Sequence, residues 1–238
     1  MRGPSVRGGA GLDAGVGRVY SNRGNLGLLA LFDAAPPQRV LDVGCGAGDN
    51  AALLRERYPG VVVDGITKSH AEAELAARHL DRRWVFDIER PVWPEPELGR
   101  YDALIFSHVL EHLREPSRVL ARFARLLGAG GSVYVAVPNV LSWRQRLLFL
   151  RGRFEYTDSG VLDATHLRFF TYLTAAGSLL ADCPELELVE QRVTGSVPLW
   201  WLRRRVLPNA LSLAVDALGC RLYPNLFGAE ILLKARKR

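Results

Sequence analysis

The chain holds only three cysteines, at positions 45, 183 and 220, far apart and without a CxxC pair. An odd, dispersed set of thiols argues against a disulfide framework or a structural zinc site, and it fits a reducing cytoplasm. Lysine is scarcer still in proportion. Lys68, Lys234 and Lys237 are the three lysines among 31 basic residues, leaving 31 − 3 = 28 arginines. The formal net charge of +6 would favour phosphate, nucleic acid or an anionic lipid surface. The arginines are scattered over many segments, however, which reads as a compositional bias rather than a binding face. No run of about 18 apolar residues occurs, so no membrane-spanning helix is expected. The stretch from Met1 to Gly17 is rich in Gly and Arg but has no apolar core, so it does not read as a secretory signal. Residues 1–19 read instead as a flexible lead-in. With 48% hydrophobic and 24% charged residues over 238 positions, the remainder, 20–238, suits one large domain with a buried core.

From residue 39 to 137 short apolar runs alternate with amphipathic stretches. Arg39–Val43 is a β run that ends in glycines, and a helix follows over about 50–58. Val61–Ile66 is the next strand. Ser69 stands three residues before Glu72, a capping box for a helix over 70–79, with the carboxylate expected to reach back to the cap amide. Trp84–Phe86 and Ala103–Phe106 read as further strands. Pro116 opens a helix whose apolar residues Val119, Leu120, Phe123, Leu126 and Leu127 keep helical spacing, with Gly128 and Gly130 stopping it. Ser132–Val137 is a fifth strand. This alternation predicts an α/β fold: a parallel sheet, doubly wound, with helices on both faces. Beyond it come a helix at 142–150, a loop, a helix from a Thr171 cap to Asp182, and strands at Leu186–Val193 and Glu230–Lys234. An insertion at about 196–224 separates those two strands.

The central motif is Val40-Leu41-Asp42-Val43-Gly44-Cys45-Gly46-Ala47-Gly48. Glycines after a strand permit unusual backbone angles and close approach of a ligand, and the following helix N-terminus favours a negative group. By itself this pattern would also suit a dinucleotide. The segments that follow it in order are Trp84-Val85-Phe86-Asp87-Ile88, then Tyr101 through Leu113 with Ser107-His108 at its strand end. Leu126 through Gly131 to Val137-Pro138-Asn139 comes next.

These segments together resemble the class I S-adenosylmethionine-dependent methyltransferases of small-molecule type. The resemblance implies a Rossmann-like sheet, mostly parallel with an antiparallel last strand. It implies S-adenosyl-L-methionine as cofactor, held by Asp42, Gly44, Cys45, Gly46 and Gly48 at the methionine part. Asp87 and Ile88 would then sit at the adenine, and Ser107 and Tyr20 would be further contacts. One position departs from the pattern: where the second strand normally ends in an acid that grips the ribose hydroxyls, this chain has Thr67, a poorer bidentate acceptor. Asp64 is close but should point elsewhere by strand alternation.

Residues 138–171 and Leu226–Glu230 are similar to a bacterial group that includes MetW-like proteins and methyltransferases encoded near polysaccharide or natural-product genes. In that frame His166 and His108 are the candidate bases, and Arg168 and Asn139 the candidate substrate contacts. Glu111 and His112 read as a pair that fixes a turn. No paired carboxylates suggest a catechol-type magnesium site, so no metal is expected. The acceptor implied is oxygen or nitrogen of a sugar, glycan precursor or natural-product intermediate. The other readings are a MetW-like accessory protein that binds a partner and an RNA or protein methyltransferase. Trp200 and Trp201 beside Arg203, Arg204 and Arg205 would suit peripheral contact with a membrane, a lid or a dimer face.

Overall fold

The computed structural model of the protein describes residues 24–90, 93 and 98–238, apart from the Arg204 side chain. Tyr20 and the lead-in at 1–19 therefore lie outside the described residues. The strands are β1 (Arg39–Val43), β2 (Val62–Thr67), β3 (Arg82–Val85), β4 (Tyr101–Ser107), β5 (Leu127–Pro138), β6 (Leu186–Gly195) and β7 (Gly228–Lys237). They form one sheet in the order β3-β2-β1-β4-β5-β7-β6. Neighbours from β3 through β5 run parallel, while β7 is antiparallel to both β5 and β6.

The central strands are apolar almost throughout because both faces are covered. Leu41, Val43, Leu104 and Phe106 turn to one side and pack with Phe123 of α4 (Pro116–Ala124) and Leu179 of α6 (Ala175–Leu179). Val40, Val63 and Ile105 turn to the other and meet Leu28 of α1 (Leu26–Leu29), Leu54 of α2 (Asp49–Arg57) and Ala76 of α3 (His70–Ala76). At the end of the sheet where these strands begin, fully buried Asp64 ties four of them together. Its Oδ2 accepts from Arg39 (2.8 Å), Arg82 (2.9 Å) and the Tyr101 hydroxyl (2.8 Å). It thus points away from the glycine turn, as alternation requires.

The structure corrects four local expectations. α4 ends at Ala124, and Leu127 opens β5, because the Tyr101 amide donates to the Leu126 carbonyl (2.9 Å) and Tyr101 pairs with Leu127. Gly128 and Gly130 therefore lie inside an irregular stretch of β5 rather than beyond a helix. α3 stops at Ala76, short of residue 79. Thr171 caps no helix: its hydroxyl meets that of Thr174 (3.0 Å), and α6 spans only Ala175–Leu179.

After β5 comes α5 (Trp143–Leu150), and the insertion between β6 and β7 folds into α7 (Trp200–Val206), α8 (Asn209–Leu222) and α9 (Pro224–Phe227). α8 is inside-out. Ser212, Asp216 and Cys220, spaced four apart, are its buried side, while Leu211, Leu213 and Leu218 are exposed. Such a face departs from the usual amphipathic arrangement.

Candidate functional site

A cavity of about 290 Å3 opens at the carboxyl ends of β1, β2 and β4, where ligands bind in sheets of this winding. Its wall is built from the residues that follow each strand: Gly44, Cys45 and Gly46 after β1, Thr67 and Lys68 at the end of β2, and Phe86–Glu89 after β3. Ser107 ends β4, and His108 and Val109 follow it. The turn after β1 has positive φ at Gly44 (75°), Gly46 (53°) and Gly48 (84°), so an L side chain would be strained at all three. At Gly44 a Cβ would also stand 2.3 Å from a Val109 methyl. The amides of Gly44 and Cys45 both donate to the Ile66 carbonyl, at 2.8 and 2.9 Å, which welds the turn to β2.

Beneath this turn Asp42 has no exposure, and neither carboxylate oxygen has a hydrogen-bond partner. Burial raises its pKa to about 7, and Asn50 nearby offsets only part of that. A buried, unsatisfied carboxylate costs roughly 1–3 kcal/mol or more. Among the described residues, no other expected site residue carries so clear a demand for a donor.

Thr67 is also buried, and its hydroxyl donates to the Glu72 carboxylate. Glu72 therefore does not reach back to its cap. Ser69 alone completes that half of the box, accepting from the Glu72 amide at 3.3 Å. The outcome is a carboxylate in the cavity wall at the end of β2, carried in from the first turn of α3. Sequence reading overlooked Glu72 as a wall residue because a capping box gave it another occupation. Asp87 lines the same cavity, and one of its oxygens accepts from the Glu89 amide (3.0 Å). Ile66, Phe86 and Ile88 supply apolar wall around it.

The β4 end holds a charged chain. His108 has φ of 56° and bonds through Nδ1 to Glu111 (3.2 Å) and through Nε2 to Glu230 (2.7 Å). Burial opposes the charge on the imidazole, but the two carboxylates override it and lift the pKa to about 10. With both ring nitrogens committed and protonated, His108 is not a general base near neutral pH, which corrects that expectation. Glu230 is held ionised in turn: burial pushes its pKa up, yet bonds from His108, Thr194 and Asn25 bring it below the usual value. The Asn25 amide also reaches Ser107 (3.5 Å).

The remaining candidates divide. His112 and Thr165 line the cavity, whereas His166 is not among its wall residues and packs edge-on against His112, ring centres 4.7 Å apart. Arg168 turns its guanidinium onto the Arg114 carbonyl, at 2.9 Å from Nε, so that it is bound within the protein rather than aimed into the cavity. Asn139 has no exposure and serves the backbone. It donates to the carbonyls of Gly228 (2.8 Å) and Asn225 (3.2 Å) and accepts from the Leu141 amide (3.1 Å). Neither Arg168 nor Asn139 is placed as a substrate contact. Glu111 pairs with His108 rather than with His112. A wider, open hollow lies along β3 and α3, and its Glu74 and Arg83 pair with each other at 3.2 Å.

The Asp42 geometry has a pH signature. Folded, the carboxyl keeps its proton up to about pH 7, and unfolded it releases it near 3.8. Stability is therefore lost progressively as pH rises between those values and levels above them. Asp42→Asn, which cannot ionise, is expected to melt higher than the parent chain. The gap should widen from about pH 4 to about pH 7 and then stay constant. Thermal melts across that range check it, and a gap independent of pH contradicts it.

Residues 21–176 match a family described as Methyltransferase domain. Among curated proteins, a trans-aconitate 2-methyltransferase of Methylobacterium nodulans is 34% identical over 164 residues, covering 63% of this chain and 61% of that protein. A ubiquinone biosynthesis O-methyltransferase of Acinetobacter baylyi is 32% identical over 107 residues, covering 43% and 44%. The chain thus spans between about two fifths and three fifths of the length of these relatives. Among solved structures, a SAM-dependent methyltransferase from Archaeoglobus fulgidus aligns over 84% of this chain and 86% of its own, with TM-score 0.54 and 18% identity. The [4+2]-cyclase SpnF aligns over 86% and 76%, with TM-score 0.53 and 22% identity. These last two likenesses speak to fold alone. With the strand order, the glycine turn and the matched family in agreement, the chain belongs to the class I S-adenosylmethionine-dependent methyltransferase family.

Proposed function

We propose that this chain transfers a methyl group from S-adenosylmethionine to an oxygen or nitrogen of a small molecule. The observation that carries the reading is the cavity at the ends of β1, β2 and β4, whose wall offers a matching group for each part of the cofactor. The turn at 44–48, with Asp42 and its two unsatisfied oxygens beneath it, suits the methionine ammonium. Glu72, braced by Thr67 in the wall at the end of β2, suits the ribose hydroxyls. Asp87 suits the adenine amino group, with Ile66, Phe86 and Ile88 against the ring. When bound, the cofactor supplies an electrophilic sulfonium methyl. The chain's own contribution is then positioning and exclusion of water, with the acceptor entering between Val109, His112, Leu113 and Thr165.

Oxygen is the favoured acceptor atom, because the similar proteins include a ubiquinone biosynthesis O-methyltransferase. Glu72 also weighs against a purely accessory role, since the missing acid at position 67 was one of its two grounds, beside the MetW-like segment at 138–171. An RNA or polyanionic acceptor fits poorly, because the wall carries Asp49, Glu72, Asp87 and Glu89 against Lys68 and His108.

The inside-out face of α8 supports a second element of the proposal, peripheral contact with an anionic bilayer. Trp201 is 51% and Val206 72% exposed on α7, and Leu211, Leu213 and Leu218 are exposed on α8. Arg203 does not take part, since it is bound to Asp216 at 2.5 Å inside the insertion, which corrects its place in the expected headgroup set. Arg205 lies beside Trp201, with the guanidinium 6.0 Å from the ring centre.

Calorimetric titration with S-adenosylhomocysteine checks the site. Micromolar binding is expected in the parent chain, at least about tenfold weaker binding in Glu72→Ala, and none in Gly46→Arg. No binding to the folded parent at millimolar ligand contradicts the reading, and unchanged affinity in Glu72→Ala removes Glu72 from it. Flotation with vesicles containing phosphatidylglycerol checks the surface. Co-flotation is expected in the parent and its loss in Trp201→Ser with Val206→Ser, whereas a parent that stays with the soluble fraction contradicts it.

A further inference from the structure

Glu111 lies in a short 3-10 turn, Leu110–His112, and has no exposure. One of its carboxylate oxygens is bonded to His108, while the other, Oε2, is buried without a hydrogen-bond partner. A buried acceptor left in that state calls for an explanation such as an ion. Two imidazoles stand beside it. Glu111, His112 and His166 each present one potential ligand atom, and these atoms all lie within 4.8 Å of one another. Around an ion with ligand bonds of about 2.1 Å, ligand atoms sit roughly 3–3.5 Å apart, so modest side-chain rotation closes the set.

Both rings are already oriented for the task. His166 Nδ1 faces the Val161 carbonyl at 3.0 Å, and a carbonyl can only accept, so that nitrogen carries the proton. His112 Nδ1 faces the Thr165 carbonyl (3.3 Å) and hydroxyl (3.0 Å). That hydroxyl donates to Asp163 Oδ1 (2.7 Å), which leaves its oxygen free to accept from His112. Each ring is thereby held as the tautomer with a bare Nε2, the arrangement that outer partners impose on metal-bound histidines. The two segments are also locked together, since the amides of Leu167 and Arg168 both donate to the Glu111 carbonyl, at 2.8 and 3.0 Å.

We propose that Glu111, His112 and His166 form a binding site for one divalent transition-metal ion at the acceptor side of the cavity. Two imidazoles and one carboxylate suit zinc, manganese, iron(II) or cobalt, whereas magnesium and calcium prefer oxygen donors. His112 and Thr165 are wall residues, so the coordination positions left open face the cavity. An oxygen of the acceptor can occupy one of them, where the ion would orient it and favour its deprotonated form. The inference departs from the metal-free expectation of the sequence. Only the role of the ion rests on the methyl-transfer reading, because the site itself stands on the three side chains and their partners.

The test uses the full chain, tag removed, stripped with a chelator and dialysed. Cobalt(II) is titrated while visible d–d absorption is followed, and zinc binding is measured by calorimetry in parallel. One ion per chain is expected, with affinity reduced at least about tenfold in His166→Ala and in His166→Gln, the latter keeping a polar side chain of similar size. Circular dichroism and melting temperature establish that the variants are folded, independently of any cofactor. Absence of a bound ion in the parent, or binding that both variants leave unchanged, overturns the proposal. Failure of S-adenosylhomocysteine to bind would instead strike the methyl-transfer reading and leave the ion titration intact.

Discussion

A carboxylate sealed under the first turn of the sheet, with nothing to accept from, is the constraint around which the cavity is arranged. Asp42 lies at the end of β1, between two cores that leave it no water. Replacing it with an apolar residue would relieve the folded chain, whereas retaining it keeps a negative group beneath backbone that bends toward the cavity. The glycine turn can adopt its positive φ values only without side chains, and the bonds to Ile66 hold it against β2. In the proposed function, the ligand's ammonium offsets the cost of the unsatisfied oxygens. Stability given up at one position thus becomes affinity at that same position.

Charge is arranged in two separate groups beyond Asp42. At the β2 end, Thr67 steers Glu72 into the wall, and at the β4 end Glu111 and Glu230 hold His108 as an imidazolium. The second arrangement removes the obvious base from service, and it also fixes Glu111, one of whose carboxylate oxygens lies within 4.8 Å of a ring nitrogen of His112 and of His166. In the proposed function, the strand ends divide cofactor and acceptor between different walls of one cavity, with β4 and the loop at 163–168 supplying the second.

How much of this was legible in the sequence depended on whether local or tertiary forces decide a residue's place. Strand β1, its glycine turn and the parallel order were readable, because apolar runs covered on both faces and glycine-dependent angles leave direct marks. Leu126 and Leu127 kept helical spacing, yet strand pairing with Tyr101 captured them, and periodicity does not reveal a partner 26 residues earlier. Glu72 looked like half of a capping box, because the choice between its own cap and Thr67 is a rotamer decision made by packing. Asn139 and Arg168 occupy motif positions, but their side chains are consumed by carbonyls of distant segments. The three-residue cluster at 111, 112 and 166 was not legible as a unit. Its extremes are 166 − 111 = 55 residues apart, and tertiary contacts bring them together: the amides of Leu167 and Arg168 donate to the Glu111 carbonyl, and Thr165 meets His112.

The most direct measurement of the central claim is the carbon-13 titration of the Asp42 side-chain carboxyl by NMR, in the free chain and with S-adenosylhomocysteine bound. The account expects a midpoint near 7 in the free chain and a marked fall when the ligand's ammonium is in place. An ordinary carboxylate midpoint in the free chain, or one that the ligand leaves where it was, would contradict it.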